Sequence, residues 1–397
     1  MDIYIHRGQN QIGGSIIEIY DDKTRLFFDI GINLNECGEV KVPEIDGLFF
    51  GVPNCDGIFI SHYHADHLGL TDKLLDGIPL FMGEKAYNII TAAANYRKKQ
   101  LSFKPHYIYN KERIVIGDFI ITPFLCDHSA FDSYMFLIEN GGQTVLYTGD
   151  FRANGRLDFD SLLADLPTVD VLITEGTTLT REGRENLQEE LLENIAVDYI
   201  KYKKGPAFIM MSAQNIDRLV TAQNVADQTD RVFLLDVYAA KIAKSCGILS
   251  DKARVFITGG DKQYEQLQQF SANKIGKYEI SKTPFLMCIR KSMKNYLSKL
   301  NDLVSFEDGV LFYGMWKGYM EQPGMKELLD WMISKGVKIH ILHTSGHADS
   351  NTIEKIIETT TPKTIIPVHT ENSEWFLKYK EEIEIVENSI LEKSVEN

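Results

Sequence analysis

The sequence predicts a mixed α/β protein in which a strand-rich region is interrupted by an inserted parallel α/β unit. Three observations lead there. The first half reads as short β runs separated by turns. After about residue 185, helical stretches alternate with short apolar runs, the pattern of strands joined by crossover helices. The last sixty residues repeat a strand–helix–strand pattern with no Pro/Ser-rich linker before them, so a second domain is inserted rather than strung on. At 397 residues the chain has room for about two to three domains.

In order, segments 15–20, 25–28, 57–61 and 119–124 are β-branched or aromatic and bounded by Gly, Asn or Asp, which predicts strands. Segments 134–139 and 143–148 flank Asn140-Gly141-Gly142 and predict a hairpin. Ala86, Ile89, Ile90, Ala93 and Ala94 give 84–99 a helical face. Helices are expected over 186–202 and 214–228, with strands at 206–211, 231–235 and 284–289. Strands 337–341 and 363–368 flank a helix near 350–359, and 388–397 reads as a frayed tail.

Composition is that of a soluble globular chain, 44% hydrophobic and 25% charged, which excludes disorder and collagen-like repeats. No run approaches the roughly 18 apolar residues of a membrane span, so no membrane partner is expected. Met1-Asp2-Ile3-Tyr4-Ile5-His6-Arg7 contains no basic region followed by an apolar run, so no signal peptide is expected. Five cysteines (37, 55, 126, 246, 288) are scattered and never spaced CxxC, which points to a reducing, cytoplasmic setting. A net charge of −14 leaves nucleic-acid binding to a local basic groove. Lys98, Lys99, Lys104, Lys282, Arg290, Lys291, Lys294 and Lys299 could supply one, with Tyr296, Trp316 and Tyr319 to stack bases.

Seven of the ten histidines fall into four short clusters, while His6, His106 and His340 receive no role. The densest cluster is Ser61-His62-Tyr63-His64-Ala65-Asp66-His67, directly after an apolar run. A strand end can aim His62 and His64 to one side, and Asp66 and His67 follow at the start of a helix expected over Asp66–Leu75. Such N and O ligands suit zinc, and two ions more naturally than one.

His-x-His-x-Asp-His after a strand resembles the signature of the metallo-β-lactamase superfamily, whose fold is an αββα sandwich with metals at the strand ends. Asp29, His128 and Asp150 match the family's early aspartate, third motif and bridging aspartate, in that order. Thr174-Glu175-Gly176-Thr177-Thr178, His343-Thr344-Ser345-Gly346-His347-Ala348 and Pro367-Val368-His369-Thr370-Glu371 resemble motifs A, B and C of the β-CASP nucleases, most closely those of the ribonuclease J family. The resemblance spans roughly residues 1–380. It implies a metallo-β-lactamase domain at 1–190 and 336–397, with a β-CASP insert at 191–335. The sequence has Gly176 where a serine or threonine is usual and Thr370 where glycine is usual. It runs only about 28 residues beyond His369, so the C-terminal domain usual in ribonuclease J is not expected.

The resemblance assigns His62, His64 and His128 to one zinc ion, Asp66, His67 and His369 to the other, and Asp150 to both, with manganese as an alternative. Two such ions generate a hydroxide nucleophile and clamp phosphoryl oxygens. It makes His347 the general acid, held by Glu175, and gives Asp66 a catalytic part beside its ligand role. A carboxylate beside a histidine raises its pKa and keeps a proton for the leaving oxygen. His343, Ser345 and Gly346 look like a phosphate cup, which Ser212, Asn215 and Arg218 would close from the insert; Ser212 and Asn215 could equally cap the following helix. The expected activity is that of a ribonuclease, endo- or 5′-exonucleolytic, acting on single-stranded RNA, with DNA and a homodimer both left open. A small-molecule hydrolase of the same superfamily (thioesterase or lactonase type) is the alternative. A metal-binding scaffold without activity is the third reading.

Overall fold

In the computed structural model the described residues are 1–34, 40–180, 186–386 and 390–391. The first sheet contains β1 (Asp2–Arg7), β2 (Ile16–Tyr20), β3 (Arg25–Phe28), β4 (Gly57–Phe59), β5 (Leu80–Gly83) and β6 (His106–Ile108). The second is built on β7 (Ile114–Ile116), β8 (Phe119–Cys126), β9 (Ser133–Asn140), β10 (Gln143–Tyr147) and β11 (Val171–Glu175). The third is wholly parallel: β12 (Ala207–Met210), β13 (Val232–Asp236), β14 (Arg254–Phe256), β15 (Phe285–Ile289), β16 (Val310–Tyr313) and β17 (Lys338–Ile341), in the order β14-β13-β15-β12-β16-β17. The chain then returns. β18 (Thr364–Val368) and β19 (Glu384–Ile385) join the second sheet beside β11, and β20 (Ile390–Leu391) pairs with β1.

Strand alternation explains the layering. On β9, Tyr134, Phe136 and Ile138 point between the first two sheets, where they meet Phe28, Phe59 and Ile173. Met135 and Leu137 point the other way, into a layer with Leu162, Ile353 and Ile356 from helices Phe159–Asp165 and Ser350–Thr360. Helix Glu84–Tyr96 covers the outer face of the first sheet, which completes an αββα sandwich. Phe208 and Met210 face helices Lys294–Asn301 and Pro323–Ser334 on one side of the third sheet. Ala207 and Ile209 face Ile216–Gln228 and Val237–Ser245 on the other, and the last of these packs on Glu84–Tyr96.

Three expectations change. The helix expected over Asp66–Leu75 is a single turn, Ala65–Leu68. A Cβ at Gly69 would lie 2.3 Å from the Ala65 carbonyl oxygen, and Leu70 donates to Ile30 O (3.0 Å), a bond to the sheet region instead of a helical one. Of the tail, Ile390–Leu391 forms a short strand, while the rest of 388–397 lies outside the described residues, as does Cys37. Finally, Lys338–Ile341, beyond the expected boundary at 335, is the edge strand of the third sheet.

Candidate metal centre

The side chains singled out in the sequence meet where the strands of the sandwich end. Asp29 follows β3 with φ 59°, a left-handed conformation that strains a residue with a side chain. It is held by bonds from Ser61 N (2.7 Å), Ser61 Oγ (2.7 Å) and Tyr147 OH (2.6 Å), and lies 2.7 Å from His67 Nδ1. Asp29 thus fixes the ring of His67 from behind. Gly149 (φ 52°) turns the chain just before Asp150, where a Cβ would come within 2.6 Å of Ser61 Cβ. His369 also has positive φ (49°), and its amide donates to Gly8 O at 2.6 Å.

These turns bring seven side chains around one point. His62, His64 and His128 form one set and Asp66, His67 and His369 another, each with ligand atoms within 4.8 Å of one another. Asp150 lies between them: its Oδ2 is 3.2 Å from His67 Nε2, 3.7 Å from His62 Nε2 and 4.0 Å from His128 Nε2, and its Oδ1 is 3.7 Å from His369 Nδ1. Ligands of one tetrahedral ion at about 2.0–2.2 Å stand roughly 3.4 Å apart, so these spacings are those of a shared shell. Orphaned atoms give a second test. His67 Nε2, His128 Nδ1 and Asp150 Oδ1 are buried with no hydrogen-bond partner. Left that way, each would cost on the order of 1–3 kcal/mol. A cation relieves it at His67 and Asp150, and the residues therefore fit a metal site.

The electrostatics agree. Burial, reinforced by neighbouring histidines, holds His62 and His128 well below the usual imidazole range, and burial brings His64 down to about 4. All three are neutral donors at neutral pH. Burial opposes the charge on His67 too, but Asp150 and Asp29 outweigh it and raise that pKa, so a cation bound there displaces a proton. Asp66 lies at about 2: burial acts upward, and the His369 hydrogen bond (3.1 Å) and His67 more than reverse it.

Glu175 and His347 complete the cleft. Glu175 is fully buried; its Oε1 accepts from Phe151 N (2.9 Å), and its Oε2 lies 3.1 Å from His347 Nδ1. His347 Nδ1 is also 3.5 Å from Asp150 Oδ2. Burial depresses this imidazole, yet Glu175 and Asp150 raise it to about 9.

The expected phosphate cup fares unevenly. Arg218 does not face the cleft. It is 1% exposed, grips Glu189 with two bonds of 3.0 Å and donates to Leu342 O (2.6 Å). A guanidinium so engaged ties the insert together and has no hand free for substrate. Asn215 caps its helix, its Oδ1 accepting from Arg218 N (3.0 Å). Ser212 is exposed, with Oγ accepting from Gln214 N at 3.3 Å. Ser345 Oγ accepts from His347 N (3.0 Å), and a Cβ on Gly346 would sit 2.5 Å from Ser129 Oγ, beside His128. His343 Nδ1 is 3.3 Å from Gly314 O. Among the expected stacking residues, Tyr296 is buried and cannot reach a base, whereas Trp316 and Tyr319 are exposed.

Two residues of the site region were not distinguished from their motifs in the sequence. Arg152 is buried two positions after Asp150, with Nε 2.5 Å from Asp127 Oδ1 and Nη2 2.6 Å from Asp217 Oδ2 of the insert; it also donates to Ser345 O at 3.4 Å. Tyr63 OH donates to Gln214 O (2.7 Å) and accepts from Phe131 N (2.8 Å), so the metal loop, the His128 loop and the insert share one hydroxyl. The only local signal was their place inside the motifs. The two departures from the family pattern also meet. Thr370 Oγ1 donates to Gly176 O (2.9 Å), and a Cβ at Gly176 would lie 2.8 Å from that hydroxyl. A side chain at one position occupies the room left by its absence at the other.

Residues 49–196 match the family described as beta-lactamase superfamily domain, and residues 335–385 match the Zn-dependent metallo-hydrolase RNA specificity domain. The chain is 20% identical to ribonuclease J of Sinorhizobium meliloti over 84% of its own length and 61% of that protein's. It is 23% identical to ribonuclease J of Helicobacter pylori over 92% and 55%. With cleavage and polyadenylation specificity factor 73 of Drosophila melanogaster it shares 27% over 59% and 38%. It thus spans only part of these curated relatives. A crystal structure of a protein of unknown function from Enterococcus faecalis superposes with a TM-score of 0.82 at 19% identity, over 99% of this chain and 98% of that one, which is a likeness of fold. No helix among the described residues is long and apolar enough to cross a membrane. The fold, the cradle of histidines and aspartates and the matched segments agree: the chain belongs to the metallo-β-lactamase superfamily, in the β-CASP group with ribonuclease J-like proteins.

Proposed function

We propose that this protein is a metal-dependent ribonuclease that hydrolyses phosphodiesters of single-stranded RNA. The observation that carries the reading is the His347–Glu175 pair set 3.5 Å from Asp150, at the edge of a cradle for cations. Two zinc ions, or manganese, would be held by His62, His64 and His128 on one side and Asp66, His67 and His369 on the other, with Asp150 between. Bound there, they would supply a nucleophile at neutral pH and compensate charge on the phosphate.

The protein's own groups do the rest. Glu175 accepts from Phe151 N, which sets the backbone beside Asp150, and its other oxygen fixes the His347 ring. A pKa of about 9 keeps His347 protonated at neutral pH, so that a proton is in place for the leaving oxygen. The nitrogen that does not face Glu175 is then the donor to the departing ribose oxygen. Ser345 braces the His347 amide, and Gly346 lets that loop close on Ser129. Relatives named ribonuclease J, together with the matched RNA specificity domain, support RNA as the polymer.

The test incubates the zinc- or manganese-loaded protein with 5′-monophosphorylated and 5′-triphosphorylated RNA oligonucleotides and with a panel of thioesters. Cleavage of RNA is expected. Turnover of the thioesters alone would sink the proposal and favour a small-molecule hydrolase.

A further inference from the structure

Outside the metal cleft, the inserted sheet carries a cavity of about 530 Å³ at the carboxyl ends of its strands. Its place in the topology is specific. After β13 the chain leaves through helix Val237–Ser245 on one face of the sheet; after the neighbouring β15 it leaves through Lys294–Asn301 on the other. A crevice opens where successive connections part to opposite faces, the usual ligand position in open α/β sheets. Asp236 at the end of β13 and Arg290 just after β15 stand at that parting.

The lining has two characters. Met211, Met293, Met315 and Met325 form soft, adaptable walls of the kind that accept a flat ring. Arg290 and Lys291 charge one end, at the start of the helical segment after β15. Asp236 does not cancel that end by accident: it is buried, caps its helix at Ala239 N (2.9 Å) and pairs with Arg290, holding the guanidinium in place. Tyr96 OH lies 3.3 Å from the same guanidinium, and the rings of Tyr238 and Tyr96 flank it at 5.5 and 5.7 Å. A fixed arginine with a lysine beside it suits a phosphate. The volume suits one small ligand and excludes a helix or a longer peptide. Ser212 and Ala213 line the cavity, and the next residue, Gln214, accepts the Tyr63 hydroxyl bond, which ties this wall to the 62–67 loop.

We propose that this cavity binds one nucleoside monophosphate unit, its base between the methionines and its phosphate at Arg290 and Lys291. That the unit belongs to the RNA strand being cut, rather than to a free nucleotide, rests on the ribonuclease reading above.

Titration calorimetry on metal-stripped protein tests it, with AMP, UMP, adenosine and a 5′-phosphorylated RNA octamer as probes. Ser292→Trp, at an exposed position on the rim, plugs the mouth without touching the core. It is expected to weaken octamer or mononucleotide binding by about tenfold or more. Arg290→Gln with Lys291→Gln should weaken the phosphorylated probes by a similar factor and adenosine little, the worth of charge-assisted bonds. Should that double variant fail to fold, Ser292→Trp alone decides. Binding of mononucleotides identifies a free nucleotide as a ligand; binding of the octamer alone identifies a strand residue. No binding of any probe, or binding that Ser292→Trp leaves unchanged, overturns the cavity assignment. RNA cleavage by the metal-loaded wild type is scored separately. Absence of cleavage with Ser292→Trp-sensitive binding removes the nuclease reading and keeps the cavity; cleavage with insensitive binding does the reverse.

Discussion

Two groups of buried ionisable side chains, the metal cradle and an arginine–carboxylate network that begins two residues beyond Asp150, are built on opposite terms. In the metal cradle, atoms of His67 and Asp150 lack partners, and Asp29 and His369 hold left-handed backbone. Two residues along, Arg152 joins Asp127, Asp217 and the Ser345 carbonyl, while Arg218 joins Glu189 and Leu342. Both groups are mostly buried. What separates a site from a brace is satisfaction: the brace bonds to itself, whereas the cradle aims buried ligand atoms that no protein group satisfies.

The sharpest test of that contrast is Asp150→Ala. One carboxylate faces both ligand sets, so metal content and turnover should both vanish; two ions per chain with activity retained would refute the shared role. Next comes His347→Ala, which should keep the metals and slow cleavage of RNA by roughly 10²–10⁴-fold. A nitrophenyl phosphodiester, whose leaving group needs little protonation, should lose much less. Equal losses on both substrates would remove His347 from proton donation, and loss of a metal would make it a ligand.

The brace responds differently. Arg218→Met leaves buried Glu189 only the Thr221 hydroxyl (3.1 Å) and Arg152 at 3.8 Å and should destabilise the fold by about 3–5 kcal/mol, while Glu189→Met with Arg218→Met should recover much of it. Thermal unfolding of both variants measures this, and a double variant no better than the single one would deny that the loss comes from the under-paired carboxylate. Asp217 offers a gentler probe. Burial, then the charges of Asp127 and Glu189, lift its pKa to about 6 despite Arg152. The folded protein therefore keeps this proton to higher pH than the unfolded chain, whose aspartates titrate near 3.9. The associated stability is present below about pH 4 and is lost as pH rises through about 6. Asp217→Asn, which mimics the protonated acid, should flatten melting temperature across that window and exceed wild type at pH 7.5 by about 2–4 °C. A variant with the same slope as wild type would assign the pH dependence elsewhere. The smallest effect belongs to the Gly176–Thr370 contact. Gly176→Ser should lower the melting temperature, and adding Thr370→Gly should restore it; additive losses would show that the two positions do not compensate.

The sequence made the cradle legible because its ligands are dense at 62–67 and each remaining one ends a strand. The sandwich and the insert were legible from strand runs, crossover alternation and the motif resemblance. The brace was not, since it is made by partners far apart in sequence: Arg152 needs residues 127 and 217, and Arg218 needs residue 189. An arginine three residues into a helix looks solvent-facing until the insert folds over it. The helix expected from Asp66 onward failed for a related reason. Leu70 finds its bond on Ile30, a partner that no local pattern announces.

The bond between Asp66 and His369 spans 303 residues of chain. Synthesis therefore sets a schedule. The loop at 62–67 leaves the ribosome first, the whole insert follows, and only then does β18 deliver the final imidazole. The insert has time to fold as its own unit before the cleft closes. A nascent chain that carries most of the histidines still lacks His369, the last member of the set with Asp66 and His67. Closure of the cradle thus waits on a strand made only after the whole insert that separates its two sides.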